Sequence, residues 1–384
     1  MKLIFFGANL NCINNVKNEI DLEKNEIICF LDNNINMQGK FVMDKYLVDS
    51  PNNINKYNYD YIIILANVLN KDILFNQLLN LGVDENKILF NWKYIYHMNE
   101  EKNLFLRDEM IHVYKDYNYI KECIEFYMEC NSYCESLRSK SKNEDVLIIN
   151  GIKYNSEILN LNYDLFKYEF IDILAPYTVS KKDQPVFFEG PYEYKDVYIK
   201  EDDFVFDLGA NMGLFTGVAV NKAVNGRVSS FEPVSKTFNS LSKTISYYNN
   251  VVGIKKGLFN FNKNLEIDLS TYEENQGSST IVKEVSKNNT VTNSEVIEVI
   301  TLDDFVKDNN ISKVDFIKAD IEGSERYMLM GAKEILKKFS PKLSICTYHL
   351  PDDPEVLEKI ISDSNPNYII EHKWSKLYAY VPNI

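Results

Sequence analysis

The stretch Phe204–Thr216, FVFDLGANMGLFT, ends an apolar run in an acid, makes a glycine turn and opens a helical pattern. A dinucleotide turn would read G-x-G-x-x-G, with a middle glycine that lets the backbone approach a pyrophosphate. Here the run is Gly209-Ala-Asn211-Met-Gly213. Asn211 stands at the middle position, where its side chain obstructs a diphosphate. Gly209 still permits the tight turn, and Gly213 still admits close packing at the helix start. Asp207, just before the turn, repels phosphate and suits an amine or a cation. Glu232 ends the next strand in SSFEP, where a carboxylate can accept both hydroxyls of a ribose.

These features specify a nucleoside that carries positive charge and no phosphate, a description that S-adenosyl-L-methionine meets. A second acidic group follows in KADIEG, where Asp320 closes an apolar strand, Glu322 stands two residues on and Gly323 opens the next helix. Ligands of open α/β sheets gather at such strand ends. Capping of the following helix is an equal reading for Asp320. Asp303 could join Asp320 and Glu322 around a divalent ion, but acids that cap helices are commoner, and no metal is expected.

The elements that position these residues read as two α/β units. Residues 1–96 alternate strands (KLIFFG, EIICFLDNN, YDYIIILAN, KILF) with helical stretches, a small Rossmann-like domain with a parallel sheet covered on both faces. Its turn, Gly7-Ala-Asn9-Leu-Asn-Cys12, lacks the second and third glycines of a pyrophosphate site, while Asp32 keeps the ribose-binding place. Residues 97–189 are a helical and mixed connecting region, in which Tyr117, Ile120, Ile124, Tyr127, Cys134 and Leu137 recur at helical spacing. Residues 190–384 form the second α/β domain, led in by the β-rich FFEGPYEYKDVYI and interrupted by a polar excursion from about Asn260 to Glu295.

Five ordered motifs, FVFDLGANMGLFT, SSFEPVSKTF, ITLDDFV, VDFIKADIEGSERYMLMGA and SICTYHLPDD, together with GPYEY ahead of them, resemble the FkbM-type methyltransferase family. The resemblance runs from about Gly190 to the C-terminus and leaves the N-terminal half outside. It implies a class I methyltransferase sheet, mostly parallel with an antiparallel end pair, and S-adenosyl-L-methionine as cofactor. Asp207, Gly209, Asn211 and Gly213 would then line the methionine and ribose side, with Glu232 at the ribose. Asp320 would lie near the amino group or the transferred methyl, with Glu322 beside it. Ser278 and Ser279, in the polar excursion, would lie near the cofactor. The family's range of acceptors points to O-methylation of a sugar hydroxyl, in a surface or flagellar glycan or its precursor. A glycan, a sugar nucleotide or a glycosylated protein would be the substrate.

A hydroxyl acceptor needs a base within hydrogen-bond reach. His349 stands on the same strand edge as Asp320 and has an unperturbed pKa near neutrality; Asp352 or Asp353 could orient it. Transfer to nitrogen, on an amino or amino-acid group of a glycan decoration, would need His349 less. A non-catalytic scaffold of two nucleotide folds is the third reading, against which the intact acids and glycines argue. The N-terminal domain could bind a nucleotide-linked carrier, position a partner or mediate homodimerisation.

Composition narrows the partners. The 384 residues carry a net charge of −14 and no run of Lys and Arg, which disfavours nucleic acid and anionic membranes. No window approaches a membrane span, and the first apolar run is too short for a signal-peptide core, so a cytoplasmic protein is expected. The six cysteines lack close CxxC pairs or neighbouring histidines, a pattern of reduced, packed thiols.

Overall fold

A computed structural model describes residues 1–65, 68–91, 113–141, 144–161, 163–179, 189–269, 280–281 and 294–382. The chain divides into two compact units, Met1–Asn131 and Ser132–Ile384, and the helix Tyr117–Lys140 begins in the first and ends in the second.

In the first unit, β1 (Lys2–Phe6), β2 (Glu26–Leu31), β3 (Phe41–Val42), β4 (Tyr46–Asp49), β5 (Tyr61–Ile64) and β6 (Ile88–Phe90) form a sheet in the order β3-β4-β2-β1-β5-β6. Every pairing is parallel except β3 with β4. Residues 3–6 of β1 are buried without alternation, as expected of a strand covered on both faces. Asn9 caps the helix Leu10–Glu19 by accepting from the Cys12 N–H. Asp32 accepts from Ala8 N at 2.8 Å and Asn34 N at 2.8 Å, so much of this carboxylate's capacity already serves the turn.

The second unit starts with a hairpin, β7 (Val146–Ile149) and β8 (Ile152–Asn155). Its turn is Asn150-Gly151, both at positive φ, the pair that a two-residue hairpin turn favours. Helical segments Glu157–Leu161 and Tyr163–Glu169 follow, then a π-helical turn, Phe170–Leu174, and a short helix, Ala175–Thr178. Residues 189–200, expected to be β-rich, hold only an isolated bridge between Tyr194 and Val197. Gly190 and Pro191 interrupt a run that composition alone reads as a strand.

The main sheet is built from β9 (Phe204–Leu208), β10 (Arg227–Phe231), β11 (Val251–Ile254), β16 (Phe316–Ala319), β17 (Lys342–Cys346), β18 (Ile369–Lys373) and β19 (Lys376–Tyr380). Their order is β11-β10-β9-β16-β17-β19-β18. β19 runs antiparallel to both neighbours, and all other pairings are parallel. This is the mixed sheet expected, with β18–β19 as the closing pair. From β9 the chain winds outward through β10 and β11, then returns to β16 on the other side of β9. The order therefore reverses between β9 and β16, and the carboxyl ends of these two strands flank the crevice where such sheets bind ligands. Beneath it, Phe206, Phe231 and Phe305 pack edge to face in the core.

The excursion after β11 is not merely a polar loop. Strands β12 (Gly257–Leu258), β13 (Lys263–Asp268), β14 (Thr280–Ile281) and β15 (Ser294–Ile300) form a second sheet, ordered β12-β15-β13-β14. Val234, Phe259, Ile267, Ile297 and Val299 form its small core. The period-two alternation of KNLEID and SEVIEV carries this signal; the charged residues between the apolar ones obscure it. Ser278 and Ser279 lie outside the described residues.

Candidate functional site

The site grows from the turn after β9. Gly209 has φ +74°, and a Cβ there would lie 1.8 Å from the Asp320 carbonyl oxygen. No side chain fits that gap, so glycine is what lets the turn close over the end of β16. Gly213 has φ +93° at the start of the helix Leu214–Lys222, and a Cβ there would crowd Leu241 at 3.0 Å and Thr244 at 3.3 Å. Asn211 is also left-handed, at φ +48°, a conformation that asparagine tolerates better than most residues.

Asp207 lies beneath the turn, not on its open side. It is fully buried, accepts from Thr216 Oγ1 at 2.5 Å and stands 3.2 Å from Lys318 Nζ. Lys318 is itself buried and donates to the carbonyl of Gly209 at 2.6 Å. Burial works against its charge, but Asp207 and Asp320 outweigh this and raise its pKa. The pair therefore shapes the turn's floor. The sequence placed Asp207 along the methionine side; the structure turns its carboxylate inward, toward Lys318.

Glu232 sits at the end of β10, where it accepts from Asn211 N (3.0 Å), Val234 N (2.9 Å) and Thr237 Oγ1 (2.8 Å). Burial pushes its pKa up, against these hydrogen bonds. Oε2 takes a single protein donor, Asn211 N, which leaves a lone pair for a ribose hydroxyl. The Asn211 side chain donates to Glu169 Oε1 at 2.9 Å, while its own Oδ1 is buried with no protein partner. That orphaned acceptor fits an ammonium or hydroxyl donor and would oppose a phosphate oxygen.

Glu169, which sequence reasoning missed, ends the helix before the π-helical turn, a feature frequent at functional sites. Burial first, then the charge of Asp320, pushes its pKa up to about 8. Glu189 was missed too: it accepts from Tyr168 Oη at 2.7 Å, and burial pushes it up to about 7 against the pull of Lys376. Lys376 is buried, its Nζ has no hydrogen-bond partner, and Glu189 Oε2 is 3.9 Å away. Lys318 and Lys376 both approach the Tyr192 ring, at 5.1 and 4.5 Å from its centroid.

Asp320 is not a helix cap; Ser324 takes the N-cap place of the helix Glu325–Met330. Instead, Asp320 accepts from Tyr192 Oη (2.7 Å) on Oδ2 and from Tyr348 Oη (3.2 Å) on Oδ1. Burial would raise its pKa, but Lys318, His349 and Lys376 outweigh it and hold the group below the usual range. Glu322, at φ +54°, stands beside it.

His349 is placed with Asp320 as the sequence suggests, but among more acids. Nε2 is 3.7 Å from Asp320 Oδ1 and 3.4 Å from Glu322 Oε2, and Nδ1 is 3.1 Å from Glu325 Oε1. Burial alone would lower its pKa; Glu322, Glu325 and Asp320 together push it up to about 11. The three carboxylates favour the imidazolium form, which has no lone pair to accept a proton and so works against the expected role of general base. Asp352 and Asp353 do not orient it, because both pair with Arg326, at 2.7 and 2.6 Å. Asp303 is likewise engaged elsewhere, accepting from the Glu334 and Ile335 N–H groups that start the helix Lys333–Lys338.

All six cysteines are free and buried. No helix among the described residues is long and apolar enough to cross a membrane.

Comparison with known proteins finds similarity to methyltransferases. Residues 1–89 match the family described as C2185-like, N-terminal. A methyltransferase from Beauveria bassiana, Methyltransferase 1, is 26% identical over 34% of this chain and 59% of its own length. The hexuronic acid methyltransferase AglP of Haloferax volcanii is 26% identical over 43% of this chain and 64% of its own length. The chain thus spans about three fifths of these relatives. The crystal structure of a methyltransferase FkbM from Methylobacillus flagellatus aligns at 16% identity and a TM-score of 0.40, over 99% of this chain and 89% of that one. Residues 207–378, the part of the chain that holds the turn, Glu232, Asp320 and His349, match the methyltransferase FkbM domain.

Proposed function

We propose that the chain is an S-adenosyl-L-methionine-dependent methyltransferase acting on a hydroxyl of a sugar or glycan. One observation carries the cofactor reading: a turn at the sheet's reversal point is lined by acids and an orphaned amide oxygen, and offers no open cradle for phosphate. When bound, S-adenosyl-L-methionine supplies a methyl group on a sulfonium, whose sulfur leaves neutral. Glu232 would hold the ribose, and Asn211 and Glu169 would face donors of the amino-acid part. Asp320, anchored by two tyrosines, would offer a fixed negative charge to the cationic cofactor. Alignment of acceptor and methyl by such fixed groups supplies much of the rate.

The relative described as a hexuronic acid methyltransferase supports an acceptor of the sugar class. Transfer to nitrogen is favoured by the charged state of His349, since a neutral amine needs no base. Calorimetry with S-adenosyl-L-methionine, followed by methyl transfer to isolated glycans read by mass spectrometry, tests both steps. Absence of binding heat at high micromolar cofactor would sink the proposal. A product methylated on an amine would decide for the second reading.

A further inference from the structure

The group around His349 does more than bring acids together. Glu325 is fully buried, with Oε1 held by the Ile321 N–H at 2.8 Å and facing His349 Nδ1 at 3.1 Å. A carboxylate beside one ring nitrogen favours the proton on that side, and once the other nitrogen loses its own proton its lone pair is left for a metal, the usual support of a metal-ligating histidine. That other nitrogen, Nε2, faces Asp320 Oδ1 at 3.7 Å and Glu322 Oε2 at 3.4 Å. The His349 side chain is about nine-tenths buried, and neither ring nitrogen makes an aligned hydrogen bond.

The separations also fit. Ligands about 2.1 Å from a common ion stand about 3.4 Å apart at a tetrahedral angle and about 3.0 Å at an octahedral one. His349 Nε2 stands 3.7 Å from Asp320 Oδ1 and 3.4 Å from Glu322 Oε2, close to these separations, so small rotations would complete the shell. Asp320 and Glu322 keep 21% and 29% side-chain exposure, which leaves an entry path and open positions. The rival group Glu189, Asp320 and Cys346 already has the Lys376 ammonium 3.9 Å from Glu189, a cation where the metal would go.

The geometry points to a divalent metal site formed by His349 Nε2, Asp320 Oδ1 and Glu322 Oε2, with Glu325 as its orienting residue, for a first-row ion such as Mn²⁺ or Zn²⁺. One imidazole with two carboxylates suits these ions better than Ca²⁺ or Mg²⁺. The ion takes the proton's place on Nε2. A Lewis acid at the rim would polarise a bound hydroxyl and lower its pKa, so that its proton passes to water as the oxygen takes the methyl group. In that respect it rests on the proposed transfer to oxygen; the site itself does not.

The test is a titration of the metal-stripped full-length protein with Mn²⁺, followed by electron paramagnetic resonance, and with Co²⁺, followed by visible absorption. Saturable binding of one ion is expected. Glu322→Gln should weaken it by at least tenfold and Glu325→Gln by about 10–100-fold. Circular dichroism checks the fold, and if Glu325→Gln does not fold, the rim variant Glu322→Gln decides alone. No saturable binding at millimolar Mn²⁺ or Zn²⁺, or binding unchanged in Glu322→Gln, overturns the site. A parallel titration with S-adenosyl-L-methionine in the presence of EDTA keeps the two ideas apart: cofactor binding without metal binding sinks only the metal site, and the reverse sinks only the cofactor reading.

Discussion

Gly209→Ala is the sharpest perturbation of the turn. Two costs add. The first is conformational: alanine at φ +74° loses about 1–2 kcal/mol to left-handed backbone sterics. The second is steric. The new Cβ would sit 1.8 Å from the Asp320 carbonyl oxygen and 2.9 Å from its carbon, whereas a C···O contact is comfortable only beyond about 3.3 Å. The turn and the end of β16 must therefore separate by about 1.5 Å, against the Lys318 hydrogen bond to the Gly209 carbonyl. Overpacking of this kind costs about 1–3 kcal/mol. The sum, about 2–5 kcal/mol, lowers the melting temperature by about 4–20 °C for a unit of this size. Gly151→Ala is the control: that glycine has nearly the same φ, +81°, but nothing within 4 Å of a built Cβ, so only the conformational cost applies. Differential scanning calorimetry of both variants reads the stability difference, and titration with S-adenosyl-L-methionine reads the site, where a displacement of about 1 Å corresponds to about a hundredfold loss of turnover. If Gly209→Ala melts no lower than Gly151→Ala and binds cofactor as the parent does, the close approach of the turn to Asp320 is not what defines the site.

Lys318→Met removes the cation beside fully buried Asp207; urea unfolding should show a loss of about 3–5 kcal/mol, largely recovered by adding Asp207→Asn. Glu232→Gln keeps the shape but exchanges one acceptor oxygen for a donor, and calorimetry should read a cofactor affinity lower by about 10–100-fold, the worth of one charge-assisted hydrogen bond. Glu169 gives a pH signature: its pKa rises from near 4.5 to about 8 in the folded chain, so between these values the native state binds the extra proton. Stability from this group is therefore full below about pH 4.5 and is lost as pH rises through 8. Melting temperatures of Glu169→Gln should fall less over that interval than those of the parent, and a parallel decline in both would refute the assignment.

The reversal-point turn was legible in the sequence because each of its requirements is local. A strand, an acid, a glycine with no room for a side chain and a second acid one strand later all fall within about thirty residues of one βαβ unit. Asp320 and His349 could be read in the same way, as residues just beyond strand ends. What surrounds them could not. Glu169 and Glu189 come from the connecting region, where an acid in a Tyr- and Phe-rich segment looks like any exposed one. Lys318 and Lys376 sit inside strands, where a lysine reads as solvent-facing. The inward turn of Asp207 depends on Lys318, over a hundred residues away, and the charge of His349 depends on Glu322 and Glu325, at the start of a different helix. An unperturbed pKa was the right prior for a lone histidine and fails only because three carboxylates converge on it. The Asn150-Gly151 hairpin was legible and overlooked; its flanking strands are short, and one exposed face carries Ile148.

The electrostatics of the rim give these separate residues one logic. Asp207, Glu169, Glu189, Asp320, Glu322 and Glu325 bring more acid to the ends of β9 and β16 than Lys318, Lys376 and His349 offset. The free protein meets this excess in two ways. Lys318, His349 and Lys376 hold the Asp320 carboxyl low, whereas burial pushes Glu169 and Glu189 up toward the neutral form. A proton on Glu169 is a small, exchangeable cation standing where a larger one would be welcome. Entry of a positively charged nucleoside would favour the ionised carboxylate and release that proton, and by linkage the same ligand binds more tightly as pH rises toward 8. Phosphate-bearing ligands would meet the opposite response, with each added negative charge raising carboxyl pKa values that are already high. Selectivity for a cation would therefore be a property of the whole acidic rim, with the missing middle glycine at Asn211 its most local expression.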